Sequence, residues 1–294
     1  MDASSQMSLP LNDAEACENA AEDRRTTIGH SSVEYIQAKG ILTRSSGFMD
    51  AYDFTLNPYS GCSFGCSYCY AAFFARTTDQ QATWGHWVQV KANALALLQK
   101  QRRKPLTDQT VYLSSVTDPY QPIERELCLT RSLLAELLAY HQPRLVIQTR
   151  SPLVTRDSDL LRQFRQVQVN MTITTDDDAV RKIFEPFCPA NRVRLQAIQE
   201  IHAAGIPACI TLTPLLPVAD PHTFAQSLLA TGIQRFVVQP FHPNRGRFVA
   251  GTRDAARQLC AERGWDADAY ARVLEILKQY IPQIGEGKAG FAPE

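Results

Sequence analysis

The sequence predicts an α/β protein folded as an open, partial (β/α)6 barrel, and three observations carry that expectation. From about residue 86 the chain alternates short runs rich in β-branched residues with longer stretches whose apolar residues recur every three or four positions, the pattern of repeated strand–helix units on a parallel sheet. Six such units can be followed, too few for a closed eight-fold barrel. With 294 residues and 45% hydrophobic side chains, the chain is large enough to bury one core of that size.

The first strand is expected near Phe54 to Leu56, feeding a cysteine-containing loop and then a helix beginning around Cys69. Trp87 to Val90 reads as a small extra strand, and Asn93 to Arg103 as a helix stopped by a basic run before Pro105. Val111 to Ser114 is the second strand, followed by a helix over Arg131 to Tyr140. Leu145 to Thr149 is the third, with a helix around Ser158 to Phe164. Val167 to Ile173 is the fourth, followed by a helix from Asn191 to Ala204 that Gly205 closes. Ala208 to Leu212 is the fifth, with a helix over Pro221 to Ala230 ending at Gly232. Arg235 to Gln239 is the sixth, and Asp266 to Tyr280 a terminal amphipathic helix. In such sheets functional residues gather on loops at the carboxyl ends of the strands, where helix starts and backbone polar groups face one mouth.

Residues 1–32 are polar and alanine-rich without a sustained apolar period, so they are expected to be a disordered leader. The barrel domain is then expected over residues 33–284 and a short tail over 285–294. No stretch approaches the roughly 18 apolar residues of a membrane span, and the start lacks the basic head and apolar run of a secretory signal. A cytoplasmic protein without a membrane partner follows. Formal net charge is zero, but removing the acidic leader leaves 28 basic and 24 acidic residues. That surplus is compatible with a nucleic-acid substrate without arguing for one.

The eight cysteines are too sparse for a disulfide scaffold, and three of them lie within eight positions. Asn57-Pro58-Tyr59-Ser60-Gly61-Cys62-Ser63-Phe64-Gly65-Cys66-Ser67-Tyr68-Cys69-Tyr70 places three thiolates on a glycine-containing loop. A four-iron cluster normally takes four cysteines, so three leave one iron open to another donor. Structural zinc prefers a closed set of four, and His86, 17 residues beyond Cys69, has no partner to complete one. Cys17, Cys128, Cys188, Cys209 and Cys260 lack ligand spacing and read as ordinary thiols, with Cys209 buried in the fifth strand.

On Cys62, Cys66, Tyr68 and Cys69 the chain resembles the radical S-adenosylmethionine (radical SAM) superfamily, whose cysteines are spaced by three and then two residues with an aromatic before the last. Asn-Pro-Tyr-x-Gly-Cys leading in and Tyr-Cys-Tyr leading out are similar to the spore photoproduct lyase-like branch, and the resemblance runs from about Asn57 to Gln239. It implies a partial TIM-type barrel of the radical SAM type and a [4Fe-4S] cluster on Cys62, Cys66 and Cys69. It also implies S-adenosyl-L-methionine on the open iron, a 5′-deoxyadenosyl radical that abstracts hydrogen, and an electron donor such as flavodoxin or ferredoxin. The protein's share is to orient the cofactor and exclude water.

The resemblance further places Tyr68 against the adenine, Thr117 and Asp118 near the methionyl part, Arg150 on the cofactor carboxylate and Thr172 at the ribose. Tyr70 matches a tyrosine that relays hydrogen in the lyase. Each has a plain structural alternative: Thr117 and Asp118 suit a turn or helix cap, Arg150 a solvated surface, and Thr172 and Tyr70 the core. Residues 185–189 and 239–243 are proline-rich loops expected to rim the mouth. The lyase has a hydrogen-donating cysteine where this chain has Ser115, and a hydroxyl holds its hydrogen too strongly to replace a thiol. Two enzymatic readings follow, repair of a DNA photoproduct and radical chemistry on RNA, a peptide or a small metabolite. A non-catalytic iron–sulfur protein for redox sensing or binding is the third.

Overall fold

A computed structural model describes residues 24–240 and 253–293 of the chain. The strands are β1 (Thr27–Ile28), β2 (Ser31–Ile36), β3 (Leu42–Arg44), β4 (Phe54–Leu56), β5 (Tyr59–Gly61) and β6 (Trp87–Lys91), then β7 (Thr110–Leu113), β8 (Arg144–Thr149), β9 (Val167–Thr172), β10 (Ala208–Leu212), β11 (Arg235–Val238) and β12 (Gly285–Glu286). The large sheet has the order β12-β11-β10-β9-β8-β7-β4-β3. Every pair from β4 through β12 is parallel, while β3 runs antiparallel at the edge. The six predicted strands are therefore all present, in sequence order. Among the described residues β3 and β12 remain the two edges, so the barrel is open on one side as expected.

Burial explains why these strands read as near-continuous apolar runs. All four residues of β7 are buried, as a strand covered on both faces requires. One face, including Val111, Leu113, Ile147 and Val169, packs against Leu133 and Leu137 of the helix Leu129–Tyr140, Ile198 of the helix Asn191–Ala203 and Leu277 of the helix Ala267–Tyr280. The opposite face turns into the lumen, where Tyr112, Val146, Cys209 and Val237 meet Tyr52 and Phe291. Cys209 is fully buried in β10, as its strand position implied.

Local chemistry sets the helix boundaries. Asp220 caps the helix Pro221–Leu229 by accepting from His222 N at 3.0 Å and Thr223 N at 3.3 Å, and Asp266 caps the helix Ala267–Tyr280 through Ala269 N at 2.8 Å. The helix expected from Cys69 is different: a 3-10 turn over Tyr70–Phe74 precedes a separate short helix, Thr78–Ala82. Three aromatics in five residues lose side-chain freedom in an α-helix, and Thr77 starts the second element by accepting from Gln80 N at 3.1 Å.

The small extra strand expected near Trp87 is β6, the centre of a second sheet ordered β1-β2-β6-β5. It pairs with β2 in parallel and with β5 antiparallel, and β5 runs directly into Cys62. Residues 1–23 lie outside the described residues, whereas Thr27–Ile28 and Ser31, within the expected leader, are paired in strands. Residues 285–293 also carry structure. After β12 and the turn Gly287–Gly290, Phe291 packs in the lumen, Tyr52 Oη donates to Phe291 O at 2.5 Å, and Lys288 Nζ lies 2.5 Å from Asp50 Oδ2. These contacts join the β12 edge to the segment ahead of β4. Among the described residues no helix is long and apolar enough to cross a membrane.

Candidate active site

The cysteine loop leaves β5 at a position only glycine fits. Gly61 has φ +74°, and an added Cβ would lie 2.5 Å from both the Trp87 ring and the Trp87 carbonyl. The loop then folds on itself, with Gly65 N donating to Cys62 O at 3.3 Å and Cys69 N to Cys66 O at 3.1 Å. Several elements hold it from outside. Ser63 N donates to Gln121 Oε1 at 3.0 Å, Ser67 N to Phe184 O at 2.8 Å, and His30 Nε2 lies 3.0 Å from Ser63 O. Cys62 and Cys66 are buried and Cys69 half-buried.

The loop after β7 ties this assembly to the sheet. Thr117 Oγ1 donates to Gly61 O at 2.6 Å. Asp118 is buried and accepts from Tyr120 N at 2.9 Å, Thr149 Oγ1 at 2.8 Å and Arg150 N at 2.8 Å. Burial still pushes its carboxyl above the ordinary aspartate value, against those hydrogen bonds. Both residues therefore have the bonds of a turn and strand-end brace. Thr172, inside the barrel, shares its hydroxyl with Gln148 Nε2 at 2.7 Å and Thr211 Oγ1 at 3.0 Å.

A buried charge cluster stands behind the loop. Glu185, fully buried, accepts from Arg194 Nη2 at 2.5 Å, from Thr174 Oγ1 at 3.0 Å and from the Tyr68 hydroxyl, while Arg150 Nε is 3.8 Å away. Burial opposes the charge of Glu185, but Arg194 and Arg150 outweigh it and hold the carboxyl below its ordinary value. Arg150 also reaches the Tyr68 hydroxyl at 3.3 and 3.4 Å and sits over that ring. Its side chain remains 19% exposed. Tyr68 is buried in this cluster, whereas Tyr70 is exposed and donates its hydroxyl to Ser115 O. Ser115 Oγ in turn accepts from Asn57 Nδ2 at 3.3 Å.

Glu185, Gln121 and His30 carry no spacing signal in the sequence, and Cys188 was read as an ordinary thiol. The structure brings Cys188 Sγ to 3.6 Å from Cys66 Sγ. That contact is the largest influence lowering the Cys66 thiol, while burial raises Cys188 and Cys62 and pushes Cys69 up to about 11. Of the second proline-rich loop, Gln239 has its Nε2 buried and without a partner among the described residues, while residues 241–243 lie outside them.

The family model described as the radical SAM superfamily matches residues 56–230, from β4 through the helix before β11. The chain belongs to that superfamily. It is 33% identical over 188 residues to an uncharacterized protein of Methanocaldococcus jannaschii, covering 64% of this chain and 70% of that one. An uncharacterized protein of Mycobacterium bovis is 31% identical over 226 residues, and the match spans 71% of this chain but only 65% of the mycobacterial protein. Among solved structures, a cysteine-to-serine variant of spore photoproduct lyase superposes with a TM-score of 0.57 at 18% identity, over 86% of this chain and 81% of that one. A variant with bound AdoMet and dinucleoside spore photoproduct gives 0.58 at 15% identity, over 91% and 87% of the two chains. Streptococcus suis SuiB bound to S-adenosylmethionine gives 0.51 at 13% identity, over 79% of this chain and 49% of SuiB. At these identities the likeness is one of fold.

Membership of the superfamily implies S-adenosylmethionine and an iron–sulfur cluster, and the loop fits such a group. Three thiols share one loop, and each can serve a separate iron of a cluster. Ser63 and Ser67, between the cysteines, have buried hydroxyls without a partner among the described residues. Those two donors can serve cluster sulfur.

Proposed function

We propose that this chain is a radical SAM enzyme whose [4Fe-4S] cluster is held by Cys62, Cys66 and Cys69. The observation that carries this reading is the braced loop that gathers three thiols within a matched superfamily domain. When bound, the cluster and S-adenosylmethionine supply an electron and a cleavable sulfur–carbon bond, giving hydrogen abstraction from a substrate.

The chain's own residues bind and orient. Arg150 offers five N–H donors, and its side-chain bonds to Tyr68 are long, at 3.3 and 3.4 Å, so it keeps donors for the cofactor carboxylate. Tyr68, Thr117 and Asp118 have protein partners on their polar atoms and act by holding the loop and the strand ends. Thr172 stands in the lumen, where its hydroxyl can turn from Gln148 to a ribose. Tyr70, exposed beside Ser115, is the candidate for hydrogen relay toward a substrate. A small electron-transfer protein such as flavodoxin or ferredoxin would supply the electron.

Anaerobic reconstitution followed by reduction with S-adenosylmethionine tests the reading. Formation of 5′-deoxyadenosine is expected, and its complete absence from iron-loaded protein would leave only a redox or binding role. For substrate, the lyase-like reading expects deuterium to pass from labelled, ultraviolet-damaged DNA into 5′-deoxyadenosine. A second reading, radical chemistry on RNA, a peptide or a small metabolite, is favoured by the hydroxyl of Ser115, which stands where the lyase has its hydrogen-donating thiol.

A further inference from the structure

The loop after the helix Asp178–Phe184 brings a fourth thiol against the cysteine loop. Cys188 Sγ lies 3.6 Å from Cys66 Sγ, a contact in which either thiol could donate, and 4.0 Å from the Phe64 carbonyl, a longer alternative acceptor for its S–H. The loop is fixed on both sides of the contact. Cys188 N donates to Glu185 O at 3.1 Å, Arg181 Nη1 donates to Cys188 O at 2.8 Å, and Phe187 stacks on His30 with ring centroids 3.4 Å apart. Cys66 and Cys188 are 4% and 7% exposed, so little water competes at the pair.

Two roles compete for such a thiol. A fourth ligand would have to serve a different iron from Cys66, and terminal ligands of a cubane cluster radiate outward from its corners. Sulfurs on two irons therefore diverge, whereas these two are in contact. A hydrogen-bond donor needs only a proton and a facing lone pair. With Cys66 ligating as a thiolate, Cys188 carries the one S–H between the two sulfurs.

We propose that Cys188 is a positioning residue for the cluster: its S–H donates to the Cys66 sulfur, draws electron density from it, and raises the reduction potential of the cluster held there. Hydrogen bonds to ligand sulfur are among the influences that set such potentials, because they favour the more negative reduced state. This inference rests on the reading of Cys62, Cys66 and Cys69 as ligands. No bond is made or broken by it, and the electron count of the cluster is unchanged.

The test uses the full chain, reconstituted anaerobically as wild type, Cys188→Ala and Cys188→Ser. Iron per chain is measured first, then the midpoint potential by titration followed by electron paramagnetic resonance. Proton ENDOR of the reduced wild-type cluster is recorded before and after exchange into D2O. Equal iron in all three proteins is expected, with the Cys188→Ala midpoint shifted to a more negative value and Cys188→Ser nearer wild type because its hydroxyl still donates. An exchangeable proton coupled to the wild-type cluster is expected as well. An unchanged midpoint in iron-loaded Cys188→Ala overturns the proposal, as does a wild-type spectrum without that proton, whatever the variants do. Loss of iron from both variants would make Cys188 a ligand and overturn it too. Failure of the wild type itself to hold iron sinks the cluster reading instead.

Discussion

Glu185 is the residue on which the charges behind the cysteine loop converge. Its side chain and that of Arg194 are both fully buried, so neither charge has water to replace the other. Removing one partner of such a pair leaves an uncompensated buried charge and costs about 3–5 kcal/mol. Glu185→Gln is accordingly expected to lower stability by about 3 kcal/mol, read as a lower urea midpoint with an unchanged slope. The same pair sets a pH dependence. The folded-state value of Glu185 is depressed, so its contribution is complete above the ordinary glutamate value of about 4.3 and is lost as pH falls below it. Unfolding curves should show a smaller loss of stability in acid for Glu185→Gln than for the wild type, since the depressed carboxyls Asp53 and Asp159 contribute alike in both. For Arg150→Ala, S-adenosylmethionine binding is expected to weaken by about tenfold or more, the loss of a charge-assisted pair, in equilibrium dialysis at equal iron content. The site was legible where its residues are neighbours: Cys62, Cys66 and Cys69 announce themselves within one loop. Cys188 stands 122 residues from Cys66 and Glu185 117 from Tyr68, and no local pattern reports a contact made by folding.

At the scale of elements, the second sheet aims the cysteine loop. β5 is only three residues long, and its pairing with β6 leaves Gly61 pressed against Trp87. Gly61→Ala is expected to abolish iron loading, because the added carbon meets backbone as well as ring and the positive φ strains any other residue. Iron content after reconstitution, compared with far-ultraviolet circular dichroism to show the fold retained, checks this. Strands such as Thr110–Leu113 and Ala208–Leu212 were readable because burial on both faces demands unbroken apolar or β-branched runs. Ser31–Ile36 was not, since its partners, Thr27–Ile28 and Trp87–Lys91, include one distant in sequence and it alternates buried with exposed residues only at its start. The seven-residue helix Asp178–Phe184 was missed for a related reason: two turns give too short a period to recognise.

At the scale of the whole molecule, residues 285–293 link the β12 edge of the large sheet to the segment ahead of β4. Phe291 fills the lumen beside Tyr52 and Tyr112, and Arg235 Nη2 donates to Ala292 O at 2.7 Å. Phe291→Ala is expected to cost about 3 kcal/mol and to lower the temperature at which the barrel unfolds in a single transition, rather than to release the final segment alone. Calorimetry decides between those outcomes.

The Tyr52–Phe291 bond joins positions 239 residues apart. Contacts of that sequence separation can form only after a long loop has closed, which slows folding in proportion to how much of the structure depends on them. During synthesis, the lumen faces of Tyr112, Val146 and Cys209 must wait for their last neighbour. The chain therefore has an interval in which its interior is already sheet-bonded but still accessible from one end.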